Sequence, residues 1–151
     1  MQNTMNLIRK VFENHNLEYE FVDGDTFGVE LELEGPVSTL RCVAVVREND
    51  FAVYAYFPNK PEKAAYPRVA EFLHRANNYM PYGNFEFDYN EGEIRFKVFT
   101  DFTCCKLSYA VVENALTFPT GAFITFGPQL LRTMYGTENV EQLFLEACEN
   151  A

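Results

Sequence analysis

The chain has 151 residues and a formal charge of −10, with a sequence pI of about 4.6. That length suits one domain with a real core, and a hydrophobic content of 48% excludes a disordered chain. The acidity opposes phosphate backbones and anionic membrane surfaces; no Lys or Arg offsets it between Lys10 and Arg41, where acids stand at Glu18, Glu20, Asp23, Asp25, Glu30, Glu32 and Glu34.

A helix is expected over residues 3–14. Leu7, Ile8, Val11 and Phe12 share one face, with Arg9, Lys10 and Glu13 on the other, and Asn14-His15-Asn16 ends it. The opening MQNTMNLIRKVF lacks the basic start and apolar run of a leader. No stretch approaches the roughly 18 apolar residues of a membrane-spanning helix, so a cytoplasmic setting is expected.

Four strands follow. LEYEFV alternates Leu17, Tyr19 and Phe21 with Glu18 and Glu20. After Asp23-Gly24-Asp25, TFGVELELE sets Phe27, Val29, Leu31 and Leu33 against Glu30 and Glu32. STLRCVAVVRE and FAVYAYF complete the set, with turns at Gly35-Pro36 and Glu48-Asn49-Asp50. Short alternating runs punctuated by Gly, Pro, Asn and Asp signal antiparallel hairpins. The third strand is apolar on both faces: Leu40, Cys42, Ala44 and Val46 on one, Val43 and Val45 between Arg41 and Arg47 on the other. A two-residue Asn49-Asp50 turn would set Val43 opposite Tyr56 and Val45 opposite Tyr54. Two accounts of this patch stay open. The chain's own C-terminal helices cover it, or it contacts a second subunit or a partner peptide.

A helix is expected to begin near Pro61 or Tyr66 and run to Tyr79, with Val69, Leu73, Ala76 and Met80 as its buried stripe. Pro81 and Gly83 stop it. In the next hairpin, NFEFDYNEGEIRFKVF, a turn at Glu91-Gly92 would face Phe87 with Phe96 and Phe85 with Val98. The same register pairs Asp88 with Arg95 and Glu86 with Lys97, and a slip by one residue would lose both patterns. The rest is helical. Ser108 is the expected first cap, Pro119 and Pro128 should kink or divide the long segment, and Thr137 should cap a last helix burying Val140, Leu143, Phe144, Ala147 and Cys148.

Little in the chain suits catalysis. His15 lies in a turn and His74 on a helix, without HxH or HExxH spacing, and no phosphate-cradling or nucleophile-elbow motif occurs. No cofactor is implied. The acid clusters lack the calcium-loop order and read as turn and solvated strand positions. Cys42 and Cys148 read as small core residues. Cys104 and Cys105 are the candidate reactive thiols, since Lys106 and a helix start are near; strand-end packing is the expected state.

Several strings resemble one family. LEYEFVDGD, the helix and hairpin VAEFLHRANNYMPYGNFEFDYNEGEIRFKVF, and the ends FGPQLLRTMYG and TENVEQLFLEACE are similar to YbjN-domain proteins. These are labelled bacterial sensory transduction regulators and are related in fold to type III secretion chaperones. Leu73, Asn77, Gly83, Phe85, Phe87, Asp88, Gly92 and Arg95 carry the match, which covers nearly the whole chain. The resemblance implies a bacterial α+β domain of regulatory type with no established reaction. Its chaperone kinship implies a small acidic dimer that holds an extended partner segment.

The expectation is one α+β domain over residues 1–151. It has an antiparallel sheet of five to six strands in the order α-ββββ-α-ββ-α(α). It should be a non-enzymatic binding or regulatory domain that holds a protein partner or a second copy through Val43, Val45, Tyr54 and Tyr56, without nucleic acid or membrane. A thiol sensor or enzyme using Cys104 and Cys105, and a structural subunit of a larger assembly, remain the alternatives.

Overall fold

A computed structural model describes residues 1–151. One six-stranded antiparallel sheet carries four helices, an α+β fold in the expected element order. Helix α1 (Gln2–Asn14) precedes the meander β1 (Tyr19–Asp23), β2 (Thr26–Glu32), β3 (Thr39–Val46) and β4 (Asp50–Tyr56). A 3-10 turn (Lys63–Ala65) leads into α2 (Tyr66–Tyr79), where Pro67 occupies the first turn, a place that needs no N–H. Then come β5 (Asn84–Phe87), β6 (Ile94–Asp101), α3 (Tyr109–Tyr135) and α4 (Val140–Glu149). The sheet order is β1-β2-β3-β4-β6-β5, so α2 carries the chain past β4 and β6 returns between β4 and β5.

Strand alternation decides which face the helices take. β3 buries Leu40, Cys42, Ala44 and Val46 and leaves the residues between them half-exposed. Phe27, Val53, Phe85 and Phe96 share the buried face, since Phe27 pairs with Ala44, Ala44 with Val53, and Phe85 with Phe96. Every helix docks here. Phe12 of α1 meets the Phe27 ring, Tyr66 of α2 meets Phe87, and Phe123 and Phe126 of α3 meet Phe85. α4 joins through Phe144, stacked with Phe126 at 6.4 Å.

Pro119 and Pro128 do not divide α3, which runs unbroken for 27 residues. Each proline forfeits one backbone hydrogen bond, at a cost of about 3 kcal/mol in a helix interior. The offset is burial on several sides: α3 packs on the sheet with α1, α2 and α4 around it and buries Leu116, Phe123, Phe126, Leu130 and Met134. Gly127 eases the second proline, because it offers no Cβ to clash with the following ring. It also seats Val37, which a Cβ there would meet at 2.5 Å.

Both hairpin registers differ from expectation by two residues. β3 and β4 turn at Glu48-Asn49, where Arg47 N–H donates to Asp50 C=O at 2.8 Å, so Val43 pairs with Tyr54, Val45 with Ala52 and Arg41 with Tyr56. In β5–β6, Phe85 pairs with Phe96, Phe87 with Ile94 and Glu86 with Arg95. Asp88 does not pair with Arg95. Its carboxylate accepts from Asn90 N–H at 2.8 Å and closes a loop in which Gly92 adopts a φ of 69°. An even shift keeps every residue on its expected face, so the alternating pattern could not report it. The last cap also moves: Asn139, not Thr137, accepts from Gln142 N–H at 3.0 Å and starts α4.

Asn77 joins α2 to the sheet. Its side chain accepts from Phe85 N–H at 2.7 Å and donates to Phe85 C=O at 3.0 Å, satisfying both backbone groups at the edge. Asn77→Ala should lower unfolding free energy by about 1–3 kcal/mol, as urea titration would read, since it orphans two half-buried groups. No change in the midpoint would contradict this role.

Candidate functional site

With all helices on one face, the other face of the sheet is bare. It carries Val43 and Val45 from β3, Tyr54 and Tyr56 from β4, and Lys97 and Arg95 from β6 beside them. All of these are half-exposed. The four patch residues named from sequence therefore meet on one surface, and α3 and α4 lie on the opposite side of the sheet. One further exposed apolar residue completes the patch: Phe99 is 56% exposed, while Ala52, between Val45 and Phe99, is buried. The sequence carried a signal for Phe99, since it follows Arg95 and Lys97 on the outer alternation of β6.

Ion pairs frame the patch. On the β1–β2 side, Arg41 donates to Glu20 at 2.5 Å and to Glu30 at 3.2 Å. Gly28 makes this path: a Cβ there would sit 2.4 Å from the Arg41 guanidinium. On the β5–β6 side, Glu86 accepts from Arg95 and from Lys97, both at 2.6 Å. Partial burial opposes the Glu86 charge, but Lys97 and Arg95 overcome it and hold the carboxyl below its ordinary value. The Arg95 guanidinium also lies over the Tyr54 ring at 4.8 Å. The face is thus acid-rich toward β1–β2 and base-rich toward β6.

The other candidates scatter. Cys104 and Cys105 are exposed in the turn after β6, with Cys104 at a φ of 62°, so the expected strand-end packing does not occur. Cys42 is buried under the helices, and that burial pushes its thiol up to about 12. Cys148 is half-buried. His15 bonds Glu113 at 2.8 Å, and His74 is exposed on α2. No three His, Cys, Asp or Glu side chains converge as metal ligands do, and no helix is long and apolar enough to cross a membrane.

No family model matches the chain, and no curated protein does. Among solved structures, the chain is similar to YbjN from E. coli, described as a candidate transcription regulator. The TM-score is 0.51 at 12% identity, covering 97% of this chain and 92% of that one. At that identity the likeness shows the fold.

The cysteines yield a chemical prediction. In the native chain, iodoacetamide should label Cys104 and Cys105, while Cys42 reacts only after unfolding; peptide mass spectrometry reads this directly. The Cys42 thiol also ties stability to pH. Below its unfolded value, ~8.5, both states hold the proton. Between there and about 12, the folded chain keeps a proton that the unfolded chain has lost. Stability should fall by ~1.4 kcal/mol per pH unit in that window from this group, and Cys42→Ala should remove that component. Identical pH slopes in the two proteins would contradict it.

Proposed function

We propose that this chain is a non-enzymatic binding and regulatory domain of the YbjN type that acts through protein contacts at its bare sheet face. The single observation that carries the reading is the half-apolar outer face of β3, β4 and β6, left without any covering helix. The YbjN-like fold supports a regulatory role in coarse terms. A charge of −10 favours protein partners over nucleic acid as the means of that regulation. The chain would work in the cytoplasm.

A second copy is the partner that best fits the face. Two copies stacked face to face about a two-fold axis along the strands would bring Glu20, Glu30 and Glu32 of one over Arg95 and Lys97 of the other. An axis across the strands would instead set acid over acid. Val43, Val45, Tyr54 and Phe99 would form the dry centre, with Tyr54 and Phe99 as the aromatic anchors that such centres favour. The chaperone-like reading then follows: a paired scaffold with further surface free to hold a partner segment.

Light scattering on a sizing column tests this. The wild-type chain should give twice its 17.4 kDa mass at micromolar concentration. Val45→Glu or Phe99→Glu should give the single-chain mass while keeping the native circular dichroism, because both sites lie on the outer face. A wild-type chain that stays at 17.4 kDa up to high micromolar concentration would overturn the pairing.

A further inference from the structure

The ladder between the first two strands stops before β2 does. β1 first pairs at Tyr19, opposite Val29, yet β2 continues to Glu32, paired on its far side with Arg41, Leu40 and Thr39. Backbone alternation tells which groups are left over. Leu33 N–H donates to Ser38 C=O and Asp25 C=O accepts from Val46 N–H, so odd-numbered residues here bond toward β3 and even-numbered ones toward β1. Gly28 meets Glu20 in that way. Glu18 stands opposite Glu30 where the ladder ends, and Glu32 turns its N–H and C=O to an open edge. The chain that could have covered it leaves instead: Asn16 has a φ of 54° and Leu17 N–H donates to Phe12 C=O.

Two concavities of opposite character flank this edge. On the helix side is an apolar cleft of about 420 Å³ between α1, β2 and α3, lined by Val11, Leu17, Leu31, Leu33, Leu116 and Ile124. Gly121 lines it with space to spare, since a Cβ there would meet nothing within 4 Å. On the outer side is a trough of about 620 Å³ walled by Glu18, Glu20, Glu30 and Glu32, with Arg41 as its one base, already paired to Glu20 and Glu30. Leu17, Val29 and Glu32 border both.

A strand bonded to that edge would point alternate side chains into the cleft and over the acids. From this we infer that the free end of the β2 edge, past Glu30 and centred on Glu32, takes up a short extended peptide whose residues alternate between apolar and basic. The residues facing Leu31 and Leu33 enter the cleft, and the one facing Glu32 carries the positive charge over Glu18, Glu30 and Glu32. Like charges disfavour the same edge of a second copy, because Glu32 would then face Glu32 with the acids of both troughs around it. The inference deepens the binding-domain reading and rests on it: the backbone edge and apolar cleft lie off the bare sheet face, while Glu30 and Glu32 are shared with the acidic side of that face.

The test is a titration of the whole chain with a short blocked peptide alternating lysine with valine, followed by amide and methyl NMR and by light scattering. Shifts should centre on Glu30, Leu31, Glu32, Leu33 and Ile124, with no change in protein mass beyond the peptide. A peptide alternating glutamate with valine should bind at least about tenfold more weakly, and so should one with its lysines and valines in separate blocks. Gly121→Leu fills the cleft where space is free and removes a helix-interior glycine, so it should raise the melting temperature while weakening binding at least about tenfold. Glu30→Lys with Glu32→Lys should reverse the charge preference. Equal binding of the acidic or the block peptide, binding unchanged in Gly121→Leu, shifts confined elsewhere, or no binding at all would each overturn the assignment. Failure of the sheet-face pairing alone would appear only in the mass of the peptide-free chain.

Discussion

The ring cluster around Phe126 is the contact on which the rest of this architecture depends. From α3 it lies 6.3 Å from Phe72 and 6.1 Å from Tyr79 of α2, 6.2 Å from Phe85 of β5, and stacks on Phe144 of α4. Phe123, one turn earlier, stacks on Phe57 at 5.3 Å and meets Phe85 at the same distance. Three helices and both ends of the crossover are therefore fixed to one face of the sheet by two side chains. That anchoring also explains why α3 survives two internal prolines. Its burial on several sides outweighs the missing backbone bonds.

One-sided docking has a consequence for the opposite face. Nothing in the chain is left to cover β3, β4 and β6 from behind, yet those strands place Val43, Val45, Tyr54 and Phe99 there. Charges do not simply rim this patch with acid. Arg41 draws Glu20 and Glu30 together across Gly28, while Glu86 gathers Arg95 and Lys97, so the face has an acidic and a basic side. Such a dipolar surface is suited to meeting its own inverse, which an isologous pair provides.

Most of the fold was legible in the sequence because period and punctuation act locally. The alternation of β3, the Ser108 cap and the end of α2 at Tyr79, ahead of Pro81, all appear as read. What escaped were quantities that alternation cannot encode. Two hairpin registers slipped by an even number, which leaves each face intact and changes only the partners. Asp88 thus turned from a cross-strand partner of Arg95 into the acceptor that closes its own loop, and Glu86 took both bases. Phe72 was missed on α2, although it is fully buried, because the stripe read there took Val69, Leu73, Ala76 and Met80 and passed over the position three residues after Val69. The patch residues Val43, Val45, Tyr54 and Tyr56 were legible as a second apolar face. Whether the C-terminal helices would reach it was not, since that depends on where α3 docks. The open edge at Glu32 was hidden for a similar reason: LEYEFV reads as a full-length strand, but the pairing begins only at Tyr19.

The central claim is that the outer face of the sheet is bare in one copy and covered by a partner. Methyl and ring NMR with a soluble paramagnetic agent tests it most directly, across a dilution series. The account predicts that Val43, Val45 and Phe99 are shielded at high protein concentration and become strongly relaxed on dilution, while Val53 and Phe96 stay shielded throughout. Shielding of Val43 and Val45 at every dilution would mean that the chain's own helices cover the face. Strong relaxation at every concentration would mean that no second copy does. Either result would contradict the account.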